Sequence, residues 1–527
     1  MTASLARASG SMAVATLVSR ITGLASKLLL AYVIGLGVVN DSYTVANTLP
    51  NIVYELLLGG VLTSIVVPVL VRAQKEDTDG GQAYAQRLLS VATLVLGVAT
   101  VLAVLAAPLL TRLYLDGSTG KANLALATAF GYLLLPEILF YGFGALFAAI
   151  LNTRNVFGPP AWAPVLNNLV VIVTLGLYAL LPGEISLSPV RMGEPKLLVL
   201  GIGTTLGIVV QAGVLVPALR RAGFVFRWRL GWDARLSAFG GLALWVVAYV
   251  LVSQVGYVAT TRVASSADPG SVAAYSYAWL LLQVPYGVLG VSLLTAIMPR
   301  MSRAAADGDT ARVVGDLSLG ERLSALMLVP ISALLTVLGS AAGIALFSLG
   351  RVGVEHAARL GDTIAVSAFG LLPFAVVMLQ LRVFYAMHDA RTPTLINMIM
   401  VAVKVPLLLA CPLVLAPERV VLGLAFVNAV SFVVGAIVGE TWLRARLGRL
   451  QTTLVLATVA RTAVAGVAAA LAAIAVVLAV PDTVAAVPRA WLELVVGALL
   501  GGAVAVLTMV ALRVPELRAA AARLRRR

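Results

Sequence analysis

Cysteine occurs once in 527 residues, at Cys411. A lone thiol closes no disulfide and builds no thiolate cage within one chain. Histidine occurs twice, at His356 and His388, too few for a His-based metal centre. No metal site and no cofactor is expected. Charge is also scarce, at 12% of residues against about 25% in a soluble domain. No polar stretch is long enough to enclose a core of its own, so no soluble domain is placed. The loops hold no P-loop, catalytic triad, zinc-ligand spacing or paired aspartates. Neither covalent catalysis nor ATP-driven work is expected, and the chain does not read as an enzyme.

Apolar residues fill the space left. They make up 61% of the chain, and the mean hydropathy is +1.00. The apolar runs last about 20 residues or more, which suits membrane helices and not the short alternating strands of a barrel. The chain therefore reads as an all-α polytopic membrane protein. Fourteen spans are expected, near 11–36, 46–71, 88–114, 124–151, 161–181, 197–219, 237–261, 271–299, 318–348, 363–388, 393–415, 418–442, 454–480 and 488–512. The first has no small-residue cleavage site after a short apolar core, so it is read as retained.

The net charge is +15. In a chain of this hydropathy the excess marks inner loops, and nucleic acid is not an expected partner. With fourteen spans both ends lie on one side, and most of the 38 Lys and Arg then fall on inner loops and tails. That asymmetry places both termini in the cytoplasm. "RRAGFVFRWRLGWDAR" (220–235) and "RLRRR" (523–527) are the richest segments. The tail suits anionic lipid at the membrane surface, or a docking site in a larger assembly.

A weak repeat organises the chain. "PVLVRA" (68–73) ends the second span and "PRMSRA" (299–304) ends the eighth. "AAILNTRNVFGPP" (148–160) and "FYAMHDARTP" (384–393) close the fourth and tenth. The matched prolines, Pro68 with Pro299 and Pro160 with Pro393, are roughly 230 residues apart, six spans on and so parallel in orientation. Two pseudo-symmetric six-helix lobes follow, 1–225 and 226–445. A C-terminal helix pair spans 446–512, and a basic tail spans 513–527.

The first span carries two cations, Arg20 and Lys27, in "SRITGLASKLLLAYVIG" (19–35). A cation at a helix centre costs about 2.5–3.5 kcal/mol on insertion scales. Seven residues is two turns, so the pair shares one face, with Thr16, Ser19 and Gly23 on or beside it. Leu17, Leu24, Leu28 and Ala31 make up the remainder. Such a helix suits the wall of a watered cavity. A structural ion pair with Glu55 or Glu137 is the other reading, and the two are compatible. Asp41 lies in "GVVNDSYTVANTLPN" (37–51), as N-cap of the second span or as part of an outer gate with Asn51 and Glu55. Pro50 and Asn51 are expected to break that span early, and Gly59-Gly60 to loosen it. Arg382 is within snorkelling reach of the inner surface, Lys404 is deep in "NMIMVAVKVPLLLA" (397–410), Glu440 belongs at the inner surface, and Glu493 lacks an obvious partner. The cationic balance of the first repeat argues for an anionic ligand. Phosphate suits a forked guanidinium, with Lys as a point charge.

"SRITGLASK" (19–27), "NDSYTVANTLPN" (40–51), "ILNTRNVFGPPAWAPVLNN" (150–168), "VPYGVLGVSLLTAIMPRMSR" (284–303) and "FYAMHDARTPT" (384–394) resemble the MviN/MurJ family. These are the lipid II flippases of the multidrug/oligosaccharidyl-lipid/polysaccharide exporter superfamily. The resemblance implies a V-shaped pair of six-helix lobes around a cationic cavity, with the last two spans forming a groove for a polyprenyl tail. It implies that undecaprenyl-pyrophosphate-linked peptidoglycan precursor, lipid II, is moved from the inner to the outer leaflet of the bacterial cell membrane. Membrane lipids and the cell-wall synthesis machinery would be its surroundings. Arg20 matches the family's first-helix Arg and Asp41 its Asp. Ser26 stands where a second Arg belongs, with Lys27 beside it to supply the charge. In the eighth span Trp279, Leu280 and Gln283 stand where many relatives carry an Asp-Arg pair and a Glu. A cation there is missing: either another substitutes, with Lys404 or Arg382 the candidates, or the cargo contact differs. Another polyprenyl-pyrophosphate glycan, or a cation-coupled drug exporter, is the alternative reading.

Overall fold

The computed structural model describes residues 2–56, 67–231, 240–387 and 389–517; side chains at 2–11, 13, 53–56, 68, 240–243, 288–296 and 299 are outside the description. The described residues are helical, with no strand among them. In chain order the helices are α1 (Thr2–Ile34), α2 (Val38–Leu56), α3 (Val67–Glu76), α4 (Gln82–Leu105), α5 (Ala107–Tyr114), α6 (Leu124–Leu134), α7 (Glu137–Thr153), α8 (Gly158–Leu180), α9 (Pro195–Gly213), α10 (Leu215–Arg221), α11 (Gly240–Ala267), α12 (Ser271–Ala306), α13 (Thr310–Phe347), α14 (Gly353–Ala368), α15 (Leu371–Ala386), α16 (Arg391–Val414), α17 (Val420–Leu447), α18 (Thr452–Ala479) and α19 (Ala486–Ala511).

Among the described residues eleven helices are long and apolar enough to cross a membrane, or twelve if the bent pair α14–α15 is one span. Two of the fourteen expected spans remain. The second runs into 57–66, which includes Gly59-Gly60, outside the described residues. The eighth is the continuous helix α12, whose side chains over 288–296 are outside the description.

Local sequence explains the breaks. Pro136 separates α6 from α7 within one apolar stretch. α14 and α15 meet at 51°, where Gly370 lets the chain approach Ala429 of α17; a Cβ there would sit 2.9 Å from the alanine's. The expected break of the second span at Pro50 does not occur, because α2 runs through the proline to Leu56. Beside it the Asn51 amide donates to the Asn47 carbonyl at 2.7 Å. Side-chain bonds of this kind let a membrane helix tolerate proline.

The chain gathers into two compact units, Met1–Gln254 and Val255–Arg527. In the first, α8 packs on α1 and α9, α2 packs on α6 and α7, and α7 also meets α4 and α9. Tyr43 and Phe130 meet edge-to-face at 5.6 Å in its core. The second unit is built around α13, which packs against α12, α14, α15, α18 and α19. Its 38 residues span about 57 Å, nearly twice the hydrocarbon core. Gly339 and Gly343 of α13 face Gly361 of α14 so closely that a Cβ at Gly343 would lie 2.2 Å from the Ala357 carbonyl oxygen. This is the small-residue packing by which membrane helices attract one another without a hydrophobic effect. α18 and α19 pack on each other and on α13. Past α19 the chain turns at Arg513 and buries Val514 and Glu516. Glu516 there forms an ion pair with Arg322 of α13.

Candidate functional site

The polar residues of α1 divide by face. Asn168 of α8 donates from Nδ2 to the Ser19 carbonyl at 2.9 Å and to the Thr22 hydroxyl at 3.0 Å. Gly23 lies beside it, where a Cβ would meet that nitrogen at 3.4 Å, an ordinary contact. Ser26 is buried, and its hydroxyl donates to the Gly23 carbonyl at 2.8 Å. Its proton is thus committed within the helix. Arg20 is exposed and Lys27 half-buried. Among the described residues neither forms a hydrogen bond or an ion pair. The expected Lys27–Glu137 ion pair is not made at contact distance, although each side chain lies in the other's field.

Glu137 opens α7, where Pro136 has interrupted the span. It has no exposed surface. One carboxylate oxygen lies 3.2 Å from the Thr205 hydroxyl of α9, which shares its proton with the Leu133 carbonyl at 2.7 Å, and the other has no hydrogen-bond partner. Tyr43 of α2 is nearby, its hydroxyl paired with Thr204 at 3.0 Å.

The three expected gate residues all fall on α2. Asp41 is buried in the first turn and is not the N-cap, because the helix starts at Val38. There its charge complements the helix dipole. Next to it Asn40 donates to the Gly35 carbonyl at 2.6 Å, tying α2 to the end of α1. Asn51 accepts from the Tyr141 hydroxyl at 2.9 Å, a bond between α2 and α7. The Glu55 side chain lies outside the described residues.

In the second unit the Lys404 ammonium of α16 donates to Asn428 of α17 at 2.8 Å. Arg382 is exposed on α15, near Tyr286 and Tyr385. Trp279, the eighth-span position at which the resemblance implied a charge, belongs to an aromatic cluster. It meets Phe374 at 5.2 Å and stacks on Phe432 at 5.7 Å, and Tyr286 meets Phe374 at 4.7 Å. Gln283 is exposed. Glu493 does have a partner, Arg489 Nε at 2.7 Å, one helical turn earlier. Both line a pocket of about 490 Å³ between α13, α18 and α19, with Val337, Ile344 and Val477. Among the described residues no group of three or more His, Cys, Asp or Glu side chains could hold a metal ion.

The model of "Lipid II flippase MurJ" matches residues 30–485. The chain belongs to the MurJ family. It is 27% identical over 405 residues to the "Probable lipid II flippase MurJ" of Haemophilus influenzae, covering 73% of this chain and 76% of the relative. It is 28% identical over 390 residues to the "Lipid II flippase MurJ" of Burkholderia cenocepacia, covering 72% of each. A solved MurJ structure in an inward closed conformation superposes with a TM-score of 0.76 at 18% identity, covering 94% of this chain and 97% of that one. An inward-facing multidrug MATE transporter of the MOP superfamily follows with a TM-score of 0.65 at 17% identity, covering 81% and 95%. Solved MurJ and MATE structures thus share this multi-pass membrane fold, and the fold alone does not fix the cargo. Asn168, Thr204, Thr205 and Tyr141 escaped the sequence reading of the site. The available signal was a polar residue inside an apolar run, at Asn168 within a quoted family motif.

Proposed function

We propose that this chain translocates lipid II from the inner to the outer leaflet of the bacterial cell membrane by alternating access, with both termini in the cytoplasm. The observation that carries the reading is Arg20 and Lys27: two cations on one helix of a MurJ-family chain, neither bonded among the described residues. Two charges held at about 2.5–3.5 kcal/mol each are retained where an anion uses them. The cargo's diphosphate is that anion. Arg20 grips it with a forked guanidinium and Lys27 as a point charge. Lys404 is bonded to Asn428, and so is the weaker contributor of the two cations expected in the second unit; Arg382 is the freer one. Asp41 is assigned to a gate at the outer end of α2, and Asn51 and Glu55, about 15 and 21 Å further along the helix, to a gate at its other end. The polyprenyl-tail groove is assigned to α18 and α19 on the family resemblance. No chemistry is performed on the cargo, and the cell-wall synthesis machinery is the expected neighbour.

Depletion of the native protein with complementation tests the reading. Arg20→Ala is expected to lose growth and lipid II translocation while reaching the membrane in normal amounts. Full rescue by Arg20→Ala overturns the diphosphate role.

A further inference from the structure

Glu137 is the group that this reading leaves unused. It sits in the middle of the Leu124–Thr153 span, with no exposed surface and one unpartnered oxygen. A buried carboxylate without full hydrogen bonding is costly, and an ionisable side chain inside a membrane is by default functional. Its surroundings are few. The Thr205 hydroxyl of α9 lies 3.2 Å from one oxygen but donates more closely to the Leu133 carbonyl, at 2.7 Å. Lys27 of α1 and Tyr43 of α2 lie in its field. Lys27 is more than 4.0 Å away, so the two do not hold each other in a contact pair. Glu55, also on α2, lies outside the described residues.

We propose that Glu137 is a proton-binding site that sets how strongly Lys27 holds the anionic cargo. With a proton on its free oxygen, Glu137 is neutral and Lys27 is an unopposed cation for a diphosphate. When that proton leaves to water, Glu137 becomes an internal counter-ion for Lys27 and competes with the cargo. One proton is then taken up when the diphosphate binds and given back when it leaves. This rests on the reading that Arg20 and Lys27 bind the diphosphate.

The test is binding of purified lipid II to the full-length protein in nanodiscs, between about pH 6 and about pH 9. The esterified diphosphate has no protonation step in that range, so a slope belongs to the protein. Wild-type affinity is expected to fall about tenfold across the range, a change of about 1.4 kcal/mol. Glu137→Gln is expected to bind at high affinity with no slope, and Glu55→Gln to keep the slope. Lys27→Arg, charged throughout, is expected to keep the slope as well. If Glu137→Gln fails to fold, Thr205→Val serves, since removing the polar hydroxyl beside the carboxylate moves the midpoint. Lys27→Ala binding as tightly as wild type overturns the cationic-site reading itself. Weak binding by Lys27→Ala together with a wild-type slope in Glu137→Gln overturns only the proton proposal. A flat wild-type profile, a slope lost in Glu55→Gln or Lys27→Arg, or an unmoved midpoint in Thr205→Val overturns it too.

Discussion

Gly343→Ala adds one methyl group where α13 meets α14. The new Cβ would lie 2.2 Å from the Ala357 carbonyl oxygen and 2.6 Å from the Gly361 Cα. An ordinary contact begins near 3.4 Å, so the helices must part by about 1.2 Å. The obstacles are backbone atoms, which cannot rotate aside, and overpacking of this kind costs about 3 kcal/mol at the upper end of its usual range. Alanine returns about 1 kcal/mol of helix propensity, leaving a net loss of about 2 kcal/mol. Gly502→Ala in α19 is the matched control, since a Cβ there meets nothing within 4 Å. It gains the propensity alone, up to about 1 kcal/mol. Thermal melting of the two purified variants is expected to move in opposite directions from wild type, Gly343→Ala down and Gly502→Ala unchanged or up. Gly343→Ala melting at or above wild type refutes the close-packing argument.

Two further outcomes follow from single bonds. Asn428→Leu strands the Lys404 ammonium and is expected to cost about 2 kcal/mol, while the double variant with Lys404→Met recovers most of it, as a melting double-mutant cycle will show. At Asp389, between α15 and α16, burial favours the neutral acid, but hydrogen bonds from the Thr392 amide and hydroxyl and the Arg446 guanidinium outweigh it and hold the carboxyl below the usual range. A lowered carboxyl stabilises the fold above its unfolded value and loses that contribution as pH falls through its folded one. Asp389→Asn is therefore expected to be less stable by about 1 kcal/mol at neutral pH, with the melting difference closing below about pH 4.

Membrane helices are legible because one physical property, apolar length, decides them, and α1, α4, α8, α18 and α19 all fall where hydropathy puts them. The Arg20–Lys27 spacing was equally readable, because helical periodicity needs no tertiary information. What hydropathy cannot show is which neighbour completes a polar group. Asn168 satisfies Ser19 and Thr22 from 146–149 residues away, and Asn51 is completed by Tyr141, 90 residues away. Asp41 was ambiguous because N-cap and first-turn positions differ by a few residues, less than the precision of a helix boundary read from sequence. Glu493 is the opposite case: Arg489 stood one turn away in the sequence, and the i,i+4 rule was enough to pair them.

The Arg322–Glu516 clasp also has a meaning in time. Its partners are 194 residues apart in the chain, so at ordinary synthesis rates Arg322 emerges about 10–40 s before the carboxylate that neutralises it. Until then α13, the helix on which α14, α18 and α19 assemble, carries an unmatched guanidinium at its future anchor point. The last helices are thus not only packed onto a finished body but locked by almost the final described turn of the chain. A chain that stops short of Glu516 carries every described helix and leaves the lock open.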